Sequence, residues 1–408
     1  MSKRISDDLK IFEFYASAKN VYGDENPNDP FWVIKPSPLG GRGIFAKKPI
    51  PSNKLLFIDP PLVLGPRSDI RCQPICVGCH RAAKLIPCSK NCGLPVCGFE
   101  CEKSQRHKSE CELLNSWKSG NNNNGNGNET WDKRLIMCLA PIRCLFLNES
   151  DLKVLESLEG HKAPQHELIT KMMRDHLSPG PDPEQLKIIQ IGCEVLDATA
   201  FETISPHKEN SGSLRGIYPL AAIMNHDCSP NTRHSFDSSN NMIVESCREI
   251  KEGEEITTTY TTLIWGNQAR SQHLSLTKKF QCNCERCGDP EEFGARLQAL
   301  YCLKKGCTGV LLPLGKNGSG WCCVRCGCKI KAMKIGMIQS AMGKLLESMD
   351  SKNLRDMCNI LKGMSVVPNS NQMAVDFKLK LVWMYGNQDG YCYQGKYMLI
   401  HLLPNRKI

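Results

Sequence analysis

The sequence predicts an α+β fold assembled from several small, zinc-rich units. Three observations carry this: cysteines gather in three tight clusters, short glycine-punctuated apolar runs alternate with longer runs of helical period, and 408 residues with 41% apolar content can fill two or three cores. No run of about 18 uncharged apolar residues appears, so no membrane span is expected. The N-terminus "MSKRISDDLKIFEFYASAKN" mixes both charge signs where a secretory signal needs an apolar stretch. The chain is therefore expected in the nucleus and/or cytoplasm, where thiols stay reduced and 24 cysteines cannot form a disulfide framework. They must be buried thiols or metal ligands, and spacing decides between the two.

Taken in chain order, "SPLGGRGIFAKKPI" places Gly41, Arg42 and Gly43 in a turn before an apolar strand. Next comes the densest cluster: Cys76-x2-Cys79, Cys88-x3-Cys92, Cys97-x3-Cys101 and His107-x3-Cys111, eight ligands within 36 residues. Tetrahedral Zn²⁺ takes four N/S ligands, so eight imply two ions. A segment this short buries too little apolar surface to fold alone, so metal supplies much of its folding free energy, on the order of 10 kcal/mol per site. Cys72, just upstream, is a spare thiol. Residues 119–129, "SGNNNNGNGNE", read as a surface loop, and "WDKRLIMCLAPIRCLFL" as a helix.

The segment "YPLAAIMNHDCSPN" sets Asn225, His226 and Cys228 behind an apolar run, Ile217 to Met224, that suits a buried strand or one helical turn. After Gly253, residues Ile256 to Tyr260 alternate in a β-branched run that reads as a strand. "FQCNCERC" supplies Cys282, Cys284 and Cys287, one ligand short of a tetrahedron, and Cys228 is the candidate fourth. Cys302-x4-Cys307 and Cys323-x2-Cys326 look like a zinc ribbon, with Cys322 and Cys328 as alternative pairings. Three zinc ions are thus expected, with a fourth in the ribbon.

In their order, "GRGIFA", the finger, "NHDCSPN", "GEEITTTY" and "FQCNCERC" resemble the SMYD group of SET-domain protein methyltransferases, over roughly residues 28–385. The ribbon resembles the arthropod-type SmydA branch. The resemblance implies a SET-domain β-fold of small twisted sheets with a pseudoknot, split by a MYND zinc finger and followed by a post-SET zinc site. It divides the chain into an N-terminal extension (1–27), N-terminal SET (28–71), MYND finger (72–111), Asn/Gly-rich loop (112–130), helical SET insert (131–215), core SET (216–266), post-SET (267–290), ribbon (300–330) and a truncated helical C-terminal domain (331–408). Residues 386–408 are expected to be its marginal last segment. In the finger it implies interleaved ligands, Cys76, Cys79, Cys97 and Cys101 on one zinc, Cys88, Cys92, His107 and Cys111 on the other.

The implied activity is transfer of a methyl group from S-adenosylmethionine (SAM) to a protein lysine, in the setting of transcriptional regulation. Gly41, Arg42, Gly43, Asn225, His226, Tyr260 and Phe280 match cofactor-binding positions, and Tyr260 also matches the catalytic tyrosine. Phe201, Tyr218 and Trp265 match positions around the substrate channel. Three departures stand out: Thr199 where Asn is common, Lys278 where an aromatic is common, and Trp265 where Tyr is common. The alternative is a silent SET protein acting as corepressor or scaffold through the finger, its peptide groove around Leu94 to Gln105. Expected partners are a substrate protein and proline-rich peptides, and the chain is expected to be monomeric. Fifteen ligand thiolates and four Zn²⁺ bring the formal charge of +10 down to about +3. On that balance direct nucleic-acid binding is not expected.

Overall fold

The computed structural model describes residues 2–22, 26–67, 74–118, 129–204, 212–315, 320–348, 356, 359–360 and 367–386. The chain divides into two compact units. The first runs to His226 and includes Pro230–Thr258; the second takes Asp227–Ser229 and everything from Thr259.

Three small antiparallel sheets build the first unit. The first orders β1 (Trp32–Pro36), β2 (Arg42–Ala46) and β11 (Glu255–Ile256). The second orders β3 (Leu55–Asp59), β10 (Met242–Ser246) and β9 (Thr232–Phe236); the third, β4 (Val63–Pro66), β8 (Ser213–Ile217) and β7 (Phe201–Ile204). Central β2 is buried on both faces from Gly43 to Ala46, whereas edge β1 starts with alternating burial. The first 27 residues, expected as an extension, contribute helix α1 (Ser2–Ala18). Its Phe12, Tyr15 and Ala16, spaced i, i+3, i+4, join Ile44, Phe57, Ile217 and Met224 in the main core.

The finger carries hairpin β5 (Ile86–Pro87) and β6 (Pro95–Val96), then α2 (Phe99–Lys103) and α3 (Gln105–Ser116). Leu114 and Trp117 share a second core with Leu139 and Ile142 of α4 (Glu129–Arg143). A buried ion pair ties the two, Arg143 Nε to Glu110 Oε1 at 2.6 Å. Arg143 Nη2 also donates to the Val77 carbonyl at 3.2 Å. Removing either partner would strand a buried charge, at a cost of about 3–5 kcal/mol. The finger is therefore anchored to the helical insert.

That insert continues with α5 (Glu149–Ser157), α6 (Pro164–His176) and α7 (Pro183–Thr199), whose start has a capping box between Asp182 and Gln185. Helix ends at Thr199, and the segment expected to be helix-rich to 215 finishes as strands β7 and β8. Of the two readings for Ile217–Met224, one helical turn is found, α8 (Pro219–Ala222). The strand expected across Ile256–Tyr260 is corrected: β11 stops at Ile256, and Ile256, Thr257 and Thr258 are all buried in succession. Thr257 N–H donates to Asn231 Oδ1 and Thr258 N–H to the Asn225 carbonyl, so ladder partners give way to loop partners.

In the second unit, α9 (Asn267–His273) runs into a π-helical turn, Leu274–Lys278, and α10 (Glu285–Gly288) follows. A four-stranded antiparallel sheet then orders β12 (Leu300–Tyr301), β13 (Val310–Leu314), β14 (Gly320–Cys323) and β15 (Lys329–Lys331). Leu300, Leu311, Trp321 and Ile335 form its core with α11 (Ala332–Glu347) and Ala374 of α12 (Gln372–Gly386). Buried Arg270 and Glu292 pair at 2.6 Å. Cys72, residues 119–128 of the Asn/Gly-rich loop, and residues 387–408 of the expected marginal segment lie outside the described residues.

Candidate active site and metal centres

Four sets of ligand atoms gather within 4.8 Å: Cys76, Cys79, Cys97 and Cys101; Cys88, Cys92, His107 and Cys111; Cys228, Cys282, Cys284 and Cys287; Cys302, Cys307, Cys323 and Cys326. With Zn–S bonds of about 2.3 Å, a tetrahedron has edges of about 3.8 Å. The observed contacts come up to that edge or fall just short of it: 3.6 Å for Cys79–Cys97, 3.8 Å for Cys88–Cys111, 3.4 Å for Cys228–Cys287 and 3.7 Å for both Cys302–Cys326 and Cys307–Cys323. In the finger the ligands interleave as expected. His107 Nδ1 lies 2.7 Å from the Glu102 carbonyl, which fixes the N–H there and leaves Nε2 for metal, 3.5 Å from Cys92 Sγ. In the ribbon Cys302, Cys307, Cys323 and Cys326 gather, not Cys322 or Cys328, and Cys322 faces the Cys323 and Gly327 carbonyls.

Elsewhere in the first unit, the Gly40–Gly41 turn has φ of 122° and 62°, a conformation that suits glycine, and nothing lies within 4 Å of where either Cβ would stand. Gly43 differs: an added Cβ would meet Glu255 Oε1 at 2.3 Å. That carboxylate accepts from Asn225 Nδ2 at 2.6 Å and from Ser37 Oγ at 2.9 Å. Asn225 Nδ2 also donates to the Arg42 carbonyl at 3.0 Å, so the glycine loop and the Asn-His segment are joined directly. Buried His226 bridges Thr258 in parallel register.

Arg42 is held from the N-terminal side. Its guanidinium pairs with Asp8 at 2.9 Å and sits 4.9 Å over the Phe12 ring, so it is the loop's backbone that faces Asn225. Seven residues after Asp8 on the same helix, the Tyr15 hydroxyl lies 3.1 Å from Asp59. Asp59 in turn accepts from the Leu220 and Ala221 N–H groups at 2.8 and 2.9 Å, capping the turn that leads into Asn225. Asp8, Asp59 and Glu255 were not singled out from sequence. Only Glu255, in "GEEIT", sat inside a motif that could have drawn attention to it.

Phe201 meets Tyr218 edge-on at 6.2 Å and His234 at 5.5 Å. Tyr218 is fully buried and donates to the Asn240 carbonyl at 2.9 Å, so within this unit it packs the core. His234, unflagged in the sequence, is the exposed member of the set. The Thr199 hydroxyl donates back to the Val195 carbonyl at 2.9 Å.

In the second unit, half-buried Tyr260 meets Phe280 edge-on at 6.4 Å. Lys278 Nζ lies 5.6 Å over the same Tyr260 ring. Trp265 packs edge-on against His273 at 5.3 Å, and its carbonyl accepts from Arg270. Arg286, between two zinc ligands in sequence, donates to the Cys228 carbonyl at 2.7 Å and steadies the loop that bears the fourth ligand.

The SET domain family model matches residues 41–261. Over 376 residues the chain is 31% identical to the Drosophila melanogaster SET domain-containing protein SmydA-8, isoform B, covering 88% of this chain and 82% of that protein. It is 25% identical to the human histone-lysine N-methyltransferase SMYD3, covering 60% of this chain and 59% of that one. A solved structure of Rubisco LSMT bound to AdoMet covers 92% of this chain and 88% of its own at 14% identity and a TM-score of 0.33, too loose a likeness to bear on fold or ligand.

Proposed function

The chain belongs to the SET-domain family, and from that premise we propose that it is a SAM-dependent protein-lysine methyltransferase whose MYND finger takes proline-rich peptides, with a role in transcriptional regulation. The observation that carries the reading is the joined pair of segments in the first unit, the open Gly40–Gly41 turn and Asn225 bonded to the Arg42 carbonyl. A Cβ-free turn beside a side-chain amide suits the charged amino-acid end of SAM. When bound, SAM supplies a methyl group on a sulfonium, which leaves readily. What remains for the protein is to hold a neutral amine in line.

Tyr260 offers its hydroxyl as the hydrogen-bond partner that orients the lysine amine. Lys278, with its ammonium over the Tyr260 ring, adds positive potential that disfavours a protonated amine. Phe280 offers an apolar ring for the adenine. The test begins with calorimetry of SAM on zinc-loaded protein. Micromolar binding that is lost in Asn225→Ala supports the pocket, and no binding to wild type rejects it. Tyr260→Phe is then expected to abolish transfer while affinity for SAM stays within a few fold, and unchanged turnover would remove Tyr260 from the role.

One observation favours the scaffold reading. Thr199 spends its hydroxyl inside its own helix, where the family often has an Asn able to reach the cofactor. If Cys97→Ala abolishes partner binding in cells while Tyr260→Phe is harmless there, the finger is the working part.

A further inference from the structure

Basic charge is not spread evenly along this chain. From Phe293 to Leu346 there are nine Lys and Arg residues and no Asp or Glu. Four ligand thiolates with one Zn²⁺ offset about two of these charges, leaving the stretch near about +7 and the remainder of the chain near about −4. The expectation against nucleic acid rested on the total, which averages this segregation away.

Six of the cations belong to the zinc-held sheet or the start of α11: Lys304, Lys305, Arg325, Lys329, Lys331 and Lys334. All six are exposed. Among the described residues none of them pairs with a carboxylate, and Arg325 donates to the Thr308 hydroxyl. Register sorts the rest of the sheet. Ile330 lies opposite Trp321 on the core side, so Lys329, opposite Cys322, and Lys331, opposite Gly320, share the other face. Leu300 pairs with Leu311 in the core, which turns Tyr301, opposite Val310, onto that same outer face, 37% exposed. The outer face thus carries an aromatic ring on one edge strand and two lysines on the other, with buried Leu312 between them; the two edge strands lie about 14 Å apart at normal strand spacing. Lys304, Lys305 and Arg325 come from the two knuckles that the shared cluster brings to one end.

We propose that this face of the ribbon binds single-stranded nucleic acid. Lysines along a rigid edge neutralise phosphates, and an exposed ring gives a base something to stack on; an acidic peptide would use the lysines but leave the ring idle. Metal fixes the knuckles in advance, so little ordering is required on binding.

Fluorescence anisotropy of a labelled oligothymidylate of about 20 nucleotides, titrated with full-length zinc-loaded protein from about 50 to about 200 mM salt, tests it. Binding in the micromolar range is expected. The slope of log affinity against log salt should fall by about 0.7 for each of Lys329→Ala and Lys331→Ala. Tyr301→Ala should weaken binding about tenfold with the slope unchanged. The substitutions sit on exposed side chains that are not ligands themselves, and because Tyr301 adjoins Cys302 in the chain, zinc content confirms each fold. Three results would overturn the proposal: no binding at the lowest salt, a slope governed instead by Lys103→Ala and Lys108→Ala on the finger, or equal competition by polyglutamate. The last would assign the face to an acidic protein. None of these outcomes touches SAM binding, so the enzymatic reading stands or falls separately.

Discussion

Asp59 shows how one side chain couples the core to the candidate site. It is fully buried, and burial pushes its carboxyl up to about 7 despite the Ala221 N–H, Tyr15 hydroxyl and Leu220 N–H that favour the charged form. An unfolded aspartate titrates near about 3.9, so between about pH 4 and pH 7 the folded state holds the extra proton. The contribution to stability is fully present below the unfolded value and is lost as pH rises through the folded one. Asp59→Asn removes this dependence. In paired thermal denaturation the Asn variant should gain on wild type as pH rises from about 5.5 to about 8, the zinc-thiolate contributions cancelling between the two. A constant gap would mean that Asp59 titrates like an exposed carboxylate. At this scale motif residues such as Asn225 were legible because their types stand together in the chain; Asp59 was not, because its partners lie 161 and 162 residues away.

Among the elements, α1 has the largest consequence for the site. Asp8, Phe12 and Tyr15 follow an i, i+4, i+7 spacing and lie on one face, which holds Arg42 at one point and Asp59 at another. Both held points lead to the segments proposed to receive SAM. The Asp8–Arg42 pair is partly buried, so losing its charge-assisted bond should cost on the order of 1 kcal/mol. Asp8→Ala is accordingly expected to weaken SAM about fivefold and to speed amide exchange in residues 40–46 of the cofactor-free protein. Unchanged exchange would reduce α1 to a packing helix. The amphipathic period of this segment was present in the sequence, but what its polar residues would grip depended on the fold. The run to Tyr260 failed in the opposite direction: its β-branched alternation promised a ladder, and loop contacts from Asn225 and Asn231 claimed the backbone instead.

For the whole molecule, four metal sites are spread over two units with unequal shelter. The finger's second cluster places all three of its cysteines in buried positions, whereas the ribbon has an exposed ligand in Cys326. Elemental analysis should find four Zn per chain. Under a chelator the ribbon's ion should leave first, because exposure governs access more than intrinsic affinity does. Cys326→Ser is expected to lower the count by one with SAM binding unchanged. Three ions in wild-type protein would mean that the ribbon's four cysteines are idle thiols.

Spacing alone determined the finger's ligand pairs and the order of motifs, since a knuckle is a local object and two ligands with two or three residues between them meet almost regardless of the rest. The need for a fourth post-SET ligand could also be counted in advance, because tetrahedral zinc leaves no choice. Tertiary structure alone decided what crosses long stretches of chain. It set the grip of α1 on two distant segments, the turn of Arg42 toward Asp8, the seating of Glu110 against Arg143, and the sorting of Tyr301, Lys329 and Lys331 onto one face. Burial and hydrogen-bond satisfaction are properties of neighbours in space, and one chain's order of residues does not state who those neighbours are.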